Sequence, residues 1–280
     1  MQTSVITFEQ VSYRYRPDRR ALDRVSCSIR RNRKTAIIGA NGAGKSTLVL
    51  HMNGIYLPES GVVSYQGEPI TKHNRSRIKE RVGVIFQDPD DQLLALTVFE
   101  DVSFTLVQRG ASRNQVEQRT RETLQRLHIT EWASRSPLEL SYGEKKWVAI
   151  AGVLVADPEV IIFDEPMAFL DPLAKHRIKE LMNELISLGK TVVITTHDMQ
   201  LVADWAEDCV IMKEGECVDV VTPRELFTDE KRWRHALLDL PPIAALASTL
   251  WDEVRDGDRT IHMPIRQEEM REWLQQRRTI

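Results

Sequence analysis

The chain has 280 residues, room for one large α/β domain with an extension or for two small domains, and enough to build a packed core. Its 38 Lys and Arg stand against 41 Asp and Glu, for a formal charge of −3, so no global basic field recruits DNA or an anionic membrane surface, and nucleic acid is not an expected partner. Three cysteines, Cys27, Cys209 and Cys217, lie far apart without a C-x-x-C, which fits neither a disulfide framework nor a zinc site; reduced thiols point to the cytosol. The opening MQTSVITFEQ has no charged leader before an apolar stretch, and no run approaches the roughly 18 apolar residues that cross a bilayer. A membrane role would take its spans from other chains.

In chain order, the apolar run KTAIIG (34–39) predicts a strand, and a helical pattern follows from Lys45. Between them stands GANGAGKST, covering Gly39, Ala40, Asn41, Gly42, Ala43, Gly44, Lys45, Ser46 and Thr47, which satisfies G-x-x-x-x-G-K-[ST] in its proper strand-to-helix setting. The glycines let backbone N–H groups converge on phosphate oxygens at a helix N-terminus. Lys45 reaches the β and γ phosphates, and the Ser46 hydroxyl is a hard ligand for Mg²⁺. A nucleoside triphosphate and Mg²⁺ are therefore the expected ligands.

A second strand is predicted at RVGVIF (81–86). Strand signals then stop until Pro137, and helical patterns dominate, above all in SRNQVEQRTRETLQRLHI (112–129), which reads as a helical insertion. ELSYGEKKWVAIAG (139–152) predicts a helix capped by Ser141, with Trp147, Ile150, Ala151 and Leu154 forming one apolar stripe. Its Ser-Tyr-Gly tip lies at the positive end of a helix dipole with no local anion in view.

EVIIFDE (159–165) is a buried strand ending in two acids, at the rim where open α/β sheets bind ligands. Asp164 suits Mg²⁺ through its water shell, and Glu165 suits orienting an attacking water. A helix follows from Leu173, then the strand TVVITTH (191–197), the helix MQLVADWA and the strand CVIMK (209–213). This alternation implies an α/β fold with parallel strands and crossover helices. Beyond Glu225 the pattern weakens into an amphipathic helix through Ile243, Leu246, Ala247, Leu250 and Val254, followed by a charged tail.

Six motifs in order carry a resemblance to the ATP-binding-cassette ATPases: GANGAGKST, Gln87 after VGVIF, LSYGEKK, VIIFDEP, FLDP (169–172) and His197 closing VVITTH. The resemblance spans roughly residues 5–225. It implies a P-loop NTPase fold with a RecA-like core, an N-terminal antiparallel β subdomain, a helical signature subdomain at about 88–155 within a cassette of 1–225, and a C-terminal extension over 226–280. It also implies that Gln87 touches Mg²⁺ and the attacking water, that His197 hydrogen-bonds the γ-phosphate, and that Asp171 lies on a loop crossing a dimer interface. Tyr15 aligns with the aromatic that stacks on adenine, with Tyr13 as its competitor. Two cassettes of this family pack head to tail, so Ser141 and Gly143 would face the ATP held by a second cassette subunit, identical or not.

The chain departs from the family's pattern at Tyr142 (usually Gly), Glu144 (Gln), Trp147 (a basic residue), Met167 and Phe169 (from TAG or SAG). Tyr142 adds bulk and Glu144 negative charge near a polyphosphate, so a hydrolysis-impaired member of an unequal pair, or a soluble regulatory cassette, is the alternative to an active ATPase. FQDPDDQLLALTVFEDVSF (86–104) and LPPIAALA resemble the energy-coupling-factor branch, particularly its cobalt-type ATPases. That implies a peripheral protein at the cytoplasmic face of the cell membrane. There it would drive import of a cobalt or nickel ion or a vitamin, through a transmembrane coupling subunit beside a substrate-binding membrane subunit.

Overall fold

The computed structural model describes residues 3–16, 18–235, 238–254 and 263–277. Strands β1 (Ser4–Arg16) and β2 (Arg19–Arg30) form a long antiparallel ribbon, and the chain then enters a second sheet as β3 (Lys34–Ile38). After helix α1 (Lys45–Met52), β4 (Ser60–Tyr65) and β5 (Glu68–Pro69) complete a four-stranded antiparallel sheet in the order β2-β1-β4-β5. Helix α2 (Arg75–Arg81) leads to β6 (Val82–Ile85), and helices α3 (Val98–Gln108), α4 (Arg113–Arg126) and α5 (Tyr142–Leu154) follow. The chain returns through β7 (Val160–Asp164), α6 (Pro172–Ser187), β8 (Thr191–Thr196), α7 (Met199–Trp205), β9 (Asp208–Lys213) and β10 (Glu216–Val221). Helices α8 (Pro223–Thr228), α9 (Glu230–His235), α10 (Pro242–Val254) and α11 (Gln267–Arg277) end the described chain.

The second sheet has the order β10-β9-β3-β8-β7-β6, parallel except for β10. Its strands β3, β7 and β8 are apolar on both faces and almost entirely buried, as a sheet covered on both sides requires. Parallel order places the C-terminal ends of β3, β6, β7 and β8 on one rim, and the functional loops gather there. One face packs against α3, α5 and α6 through Trp147, Ile150, Phe163 and Met182; the other packs against the antiparallel sheet through Phe8, Ile29, Ile37 and Val193. Asp208, almost wholly buried at the start of β9, accepts from Arg30 and Arg33, tying both sheets together; the Asp208 contact holds the Arg33 guanidinium above its ordinary value.

Several expectations need correction. The α5 stripe is wider than expected: Lys146, Val148 and Ala149 are buried beside Trp147, Ile150 and Ala151, while Leu154 is only half-buried, because α5 is wedged between α3 and the sheet. On α10, Leu246 is 52% exposed and Ala244 takes its inward place, its small side chain allowing close approach to the core. The Val254 side chain lies outside the described residues. The charged tail contains α11, whose Met270 and Trp273 pack beneath Ala247. Cys27 and Cys217, distant in sequence, join the same core cluster where β2 meets β10, with Cys217 Sγ donating to the Asp219 carbonyl, and all three cysteines are free thiols.

Candidate active site

Gly39 follows β3 with φ 150°, and a Cβ there would lie 2.1 Å from the Met212 carbonyl oxygen. Gly44 has φ 101°, and its Cβ would meet the Ala21 carbonyl oxygen at 2.7 Å. Only glycine lets the loop run this close to β9 and β2. Helix α1 starts at Lys45 without a side-chain cap, which leaves its first N–H groups open to an anion. Lys45 itself is buried and folds back, its Nζ donating to the carbonyls of Gly39 (2.8 Å) and Ala40 (3.1 Å).

The loop borders a cleft of about 270 Å³ lined by Tyr15, Asn41, Gly42, Gly44, Lys45, Ser46, Thr47, Gln87, Asp164 and Glu165. Arg19, Arg20 and Ala21 also line it; the sequence offered no motif for them, since only the fold of β2 over the loop brings them there. Tyr15 stands at the mouth, with its hydroxyl 3.0 Å from Thr47 Oγ1. Tyr13 sits farther in, stacked on Tyr56 with ring centres 5.1 Å apart and edge-on to His51, and does not line the cleft.

The two acids end β7. The Thr195 hydroxyl on β8 donates to Asp164 Oδ1 in a short contact and accepts the Glu165 N–H at 3.0 Å. Glu165 adopts φ 46°, a left-handed conformation that a non-glycine residue holds only when its surroundings enforce it. Its Oε1 lies 3.0 Å from His197 Nδ1, so His197 joins the cleft residues through Glu165. Thr195 is a member of this group that the sequence reading missed; its only signal was a hydroxyl two residues before His197.

Ser46, Gln87 and Asp164 bring a hydroxyl, an amide and a carboxylate to the same cleft, a hard oxygen set that fits a Mg²⁺ ion. No group of three His, Cys, Asp or Glu side chains capable of holding a metal occurs among the described residues, so such an ion would also need water and phosphate oxygens.

Ser141, Gly143 and Asp171 do not line the cleft. Ser141 caps α5 in a reciprocal box: Glu144 N–H reaches Ser141 Oγ, and Glu144 Oε2 accepts from both the N–H and the hydroxyl of Ser141, each at 2.8 Å. These bonds, with Arg135 3.6 Å away, hold the Glu144 carboxyl below the usual carboxylate range. Asp171 caps α6, accepting from the Ala174 N–H at 2.8 Å. The Tyr142 hydroxyl turns back on its own chain to donate to the Gln87 carbonyl (2.9 Å), with its ring edge-on to Phe169 at 5.7 Å. Lys146, one turn on, donates to the carbonyls of Phe86 and Gln87, and burial pushes its ammonium down to about 8.

A sequence profile described as ABC transporter matches residues 22–168. The energy-coupling factor transporter ATP-binding protein EcfA of Methanococcus maripaludis is 38% identical over 256 residues, covering 91% of this chain and 92% of its own length. The chain belongs to the ATP-binding-cassette family, in its energy-coupling-factor branch. Membership makes it an ATP-binding cassette ATPase. EcfA2 of Methanospirillum hungatei is 40% identical over 248 residues, 88% of this chain, which spans 62% of that relative's length. Among solved structures, CbiO1 from Clostridium perfringens, described as part of the ABC transporter complex CbiONQ, superimposes with a TM-score of 0.74 at 36% identity, covering 88% of this chain and all of its own. The cassette MJ0796, as a dimer in a post-hydrolysis state with ADP and Pi, gives 0.71 at 27% identity over 78% of this chain and 98% of its own.

Proposed function

We propose that this chain is the ATP-hydrolysing subunit of an energy-coupling-factor importer, working at the cytoplasmic face of the membrane and driving uptake of a cobalt or nickel ion or a vitamin. The observation that carries this reading is the meeting of Lys45, Ser46, Gln87, Asp164 and Glu165 in one cleft, with His197 hydrogen-bonded to Glu165. Residues 1–225 form the cassette and 226–280 the extension.

In this reading Tyr15 stacks on adenine while the backbone of Gly39–Thr47 takes the phosphates. Lys45 exchanges the Gly39 and Ala40 carbonyls for β and γ oxygens. Ser46, Gln87 and Asp164 would hold Mg²⁺, which when bound supplies charge neutralisation at the transferring phosphate. Glu165, its carboxylate aimed by the left-handed backbone, orients the attacking water and accepts its proton; His197 moves from Glu165 to the γ-phosphate. Ser141, Gly143 and Asp171 lie outside this cleft, which supports their serving the site of a second cassette, so that closure of two chains around ATP becomes the mechanical step.

Exposed apolar side chains support docking to a transmembrane coupling subunit. Asp101 Oδ2 accepts the N–H groups of Leu94 and Ala95, both at 2.8 Å, and the turn so held presents Leu94 and Leu96, more than 80% exposed, to the outside. Among the described residues no helix is long and apolar enough to cross a membrane, so the spans would come from that subunit and from a substrate-binding membrane protein. The test is co-expression with the neighbouring chains, recovery of the membrane complex, and ATP-dependent uptake of labelled cobalt, nickel and vitamins. Failure to recover any membrane subunit, or turnover no greater than that of Glu165→Gln and Lys45→Ala, sinks the reading in favour of a regulatory cassette.

A further inference from the structure

One face of α5 is given over to the loop that carries Gln87. Tyr142, Lys145, Lys146 and Ala149 follow each other at i, i+3, i+4 and i+7, so they line a single side of the helix. The Tyr142 hydroxyl donates to the Gln87 carbonyl at 2.9 Å, and Lys145 Nζ to Asp90 Oδ1 at 2.7 Å. Lys146 Nζ donates to the carbonyls of Phe86 (2.9 Å) and Gln87 (2.8 Å). Gln92 closes the loop: its amide donates to the Ala149 carbonyl at 2.8 Å, and its Oε1 accepts the Phe86 N–H at 3.2 Å.

Two features distinguish this from ordinary packing. Lys146 is fully buried, an unfavourable state for an ammonium, and both of its hydrogen bonds go to the carbonyls of Phe86 and Gln87, with the negative charges of Asp164, Asp88 and Glu165 near enough to favour its charged form. The Gln87 carbonyl accepts two bonds, both from α5, which fills its lone pairs although the residue itself is exposed. Tyr142 is braced in turn by Phe169, which stands in left-handed backbone (φ 59°) between Glu165 and Asp171.

We propose that Tyr142 and Lys146 are positioning residues for Gln87: by clamping its main chain to α5 they fix where the Gln87 side chain stands in the cleft. The proposal rests on the reading above, in which Gln87 acts in that cleft. A departure from the family's usual glycine thus has a constructive use within the same chain.

The test is a double-mutant cycle in the assembled complex, with kcat and KM for MgATP measured for Tyr142→Phe, Gln87→Ala and the pair. Tyr142→Phe keeps the ring against Phe169 and removes only the donor. It should lower kcat roughly tenfold with KM changed less than about twofold, and have no effect in the Gln87→Ala background. An equal loss in both backgrounds overturns the proposal. Wild-type turnover in Gln87→Ala would remove the role of Gln87 itself and the proposal with it. Hydrogen exchange on the nucleotide-free full-length chain gives a readout independent of activity: Tyr142→Phe should lose protection in the segment 86–92, and unchanged protection there also overturns the clamp.

Discussion

The guanidinium of Arg177 on α6 lies 4.6 Å from the ring centre of Trp147 on α5. Trp147 occupies a position where the family usually carries a basic residue, and the structure supplies that charge from the neighbouring helix instead. The indole is almost wholly buried in the main core, so it contributes both apolar burial and a cation–π contact. Trp147→Ala should destabilise the chain by about 3–5 kcal/mol and Arg177→Ala by about 1 kcal/mol. Urea midpoints of these variants and their double give the coupling; simple additivity would show that the contact contributes nothing of its own.

The Thr195 hydroxyl joins the two acids, donating to Asp164 and accepting from the Glu165 N–H. Thr195→Val keeps the shape and leaves a buried N–H with one partner fewer, a loss of about 1–3 kcal/mol in stability. Because the Glu165 backbone is strained and Thr195 helps to hold it, turnover of the folded variant should also fall, roughly tenfold. Glu165→Gln should reduce turnover by about 10²–10⁴ while nucleotide affinity holds. Steady-state ATPase and fluorescent-nucleotide titration check both; a Glu165→Gln variant that turns over normally would exclude this carboxylate as the base.

Much of this was legible in the sequence because short-range rules govern it. Thr97, Ser112, Ser141 and Thr222 each form a reciprocal capping box with Glu or Gln three residues on. The apolar runs at 34–38 and 160–164 became buried parallel strands, and the loops at their ends met on one rim. What stayed hidden depends on long-range geometry. Nothing local says that Tyr142 turns toward a loop 55 residues earlier, that Arg19 and Arg20 reach the cleft, or that Met270 and Trp273 in a charged segment pack under α10.

Glu144 accepts the Ser141 hydroxyl proton, so Ser141 must break that bond before it can donate to a phosphate. Glu144→Gln retains a capping acceptor and removes the negative charge. ATP-driven pairing of cassettes, followed by sedimentation in a Glu165→Gln background, should tighten several-fold, on the order of 1 kcal/mol. The same affinity with either residue would mean that Glu144 swings clear when the cassettes close.

Tyr15 lines the cleft and Tyr13 does not, which predicts different losses. Tyr15→Ala should weaken ATP binding by roughly tenfold, the effect of losing one base-stacking contact of about 1–3 kcal/mol. Tyr13→Ala should chiefly lower stability, since it removes a ring packed on Tyr56 and His51. Isothermal titration and thermal melting separate the two; equal loss of affinity in both would make Tyr13 a partner in adenine binding.

Leu94 and Leu96 are exposed although the turn that carries them is firmly held by Asp101 and by the Thr97–Glu100 cap behind it. Rigid backbone presenting bare apolar side chains is unfavourable in water unless a partner covers them, and burying two leucines is worth about 3–6 kcal/mol before the losses of association are counted. The pair Leu94→Asp and Leu96→Asp should therefore abolish recovery of the membrane complex while melting temperature and nucleotide affinity of the isolated chain stay unchanged. Asp101→Ala frees the turn without touching either leucine and should weaken assembly by a smaller factor. Intact assembly of the double variant, measured by pull-down of the membrane subunit, would move the docking surface away from this turn.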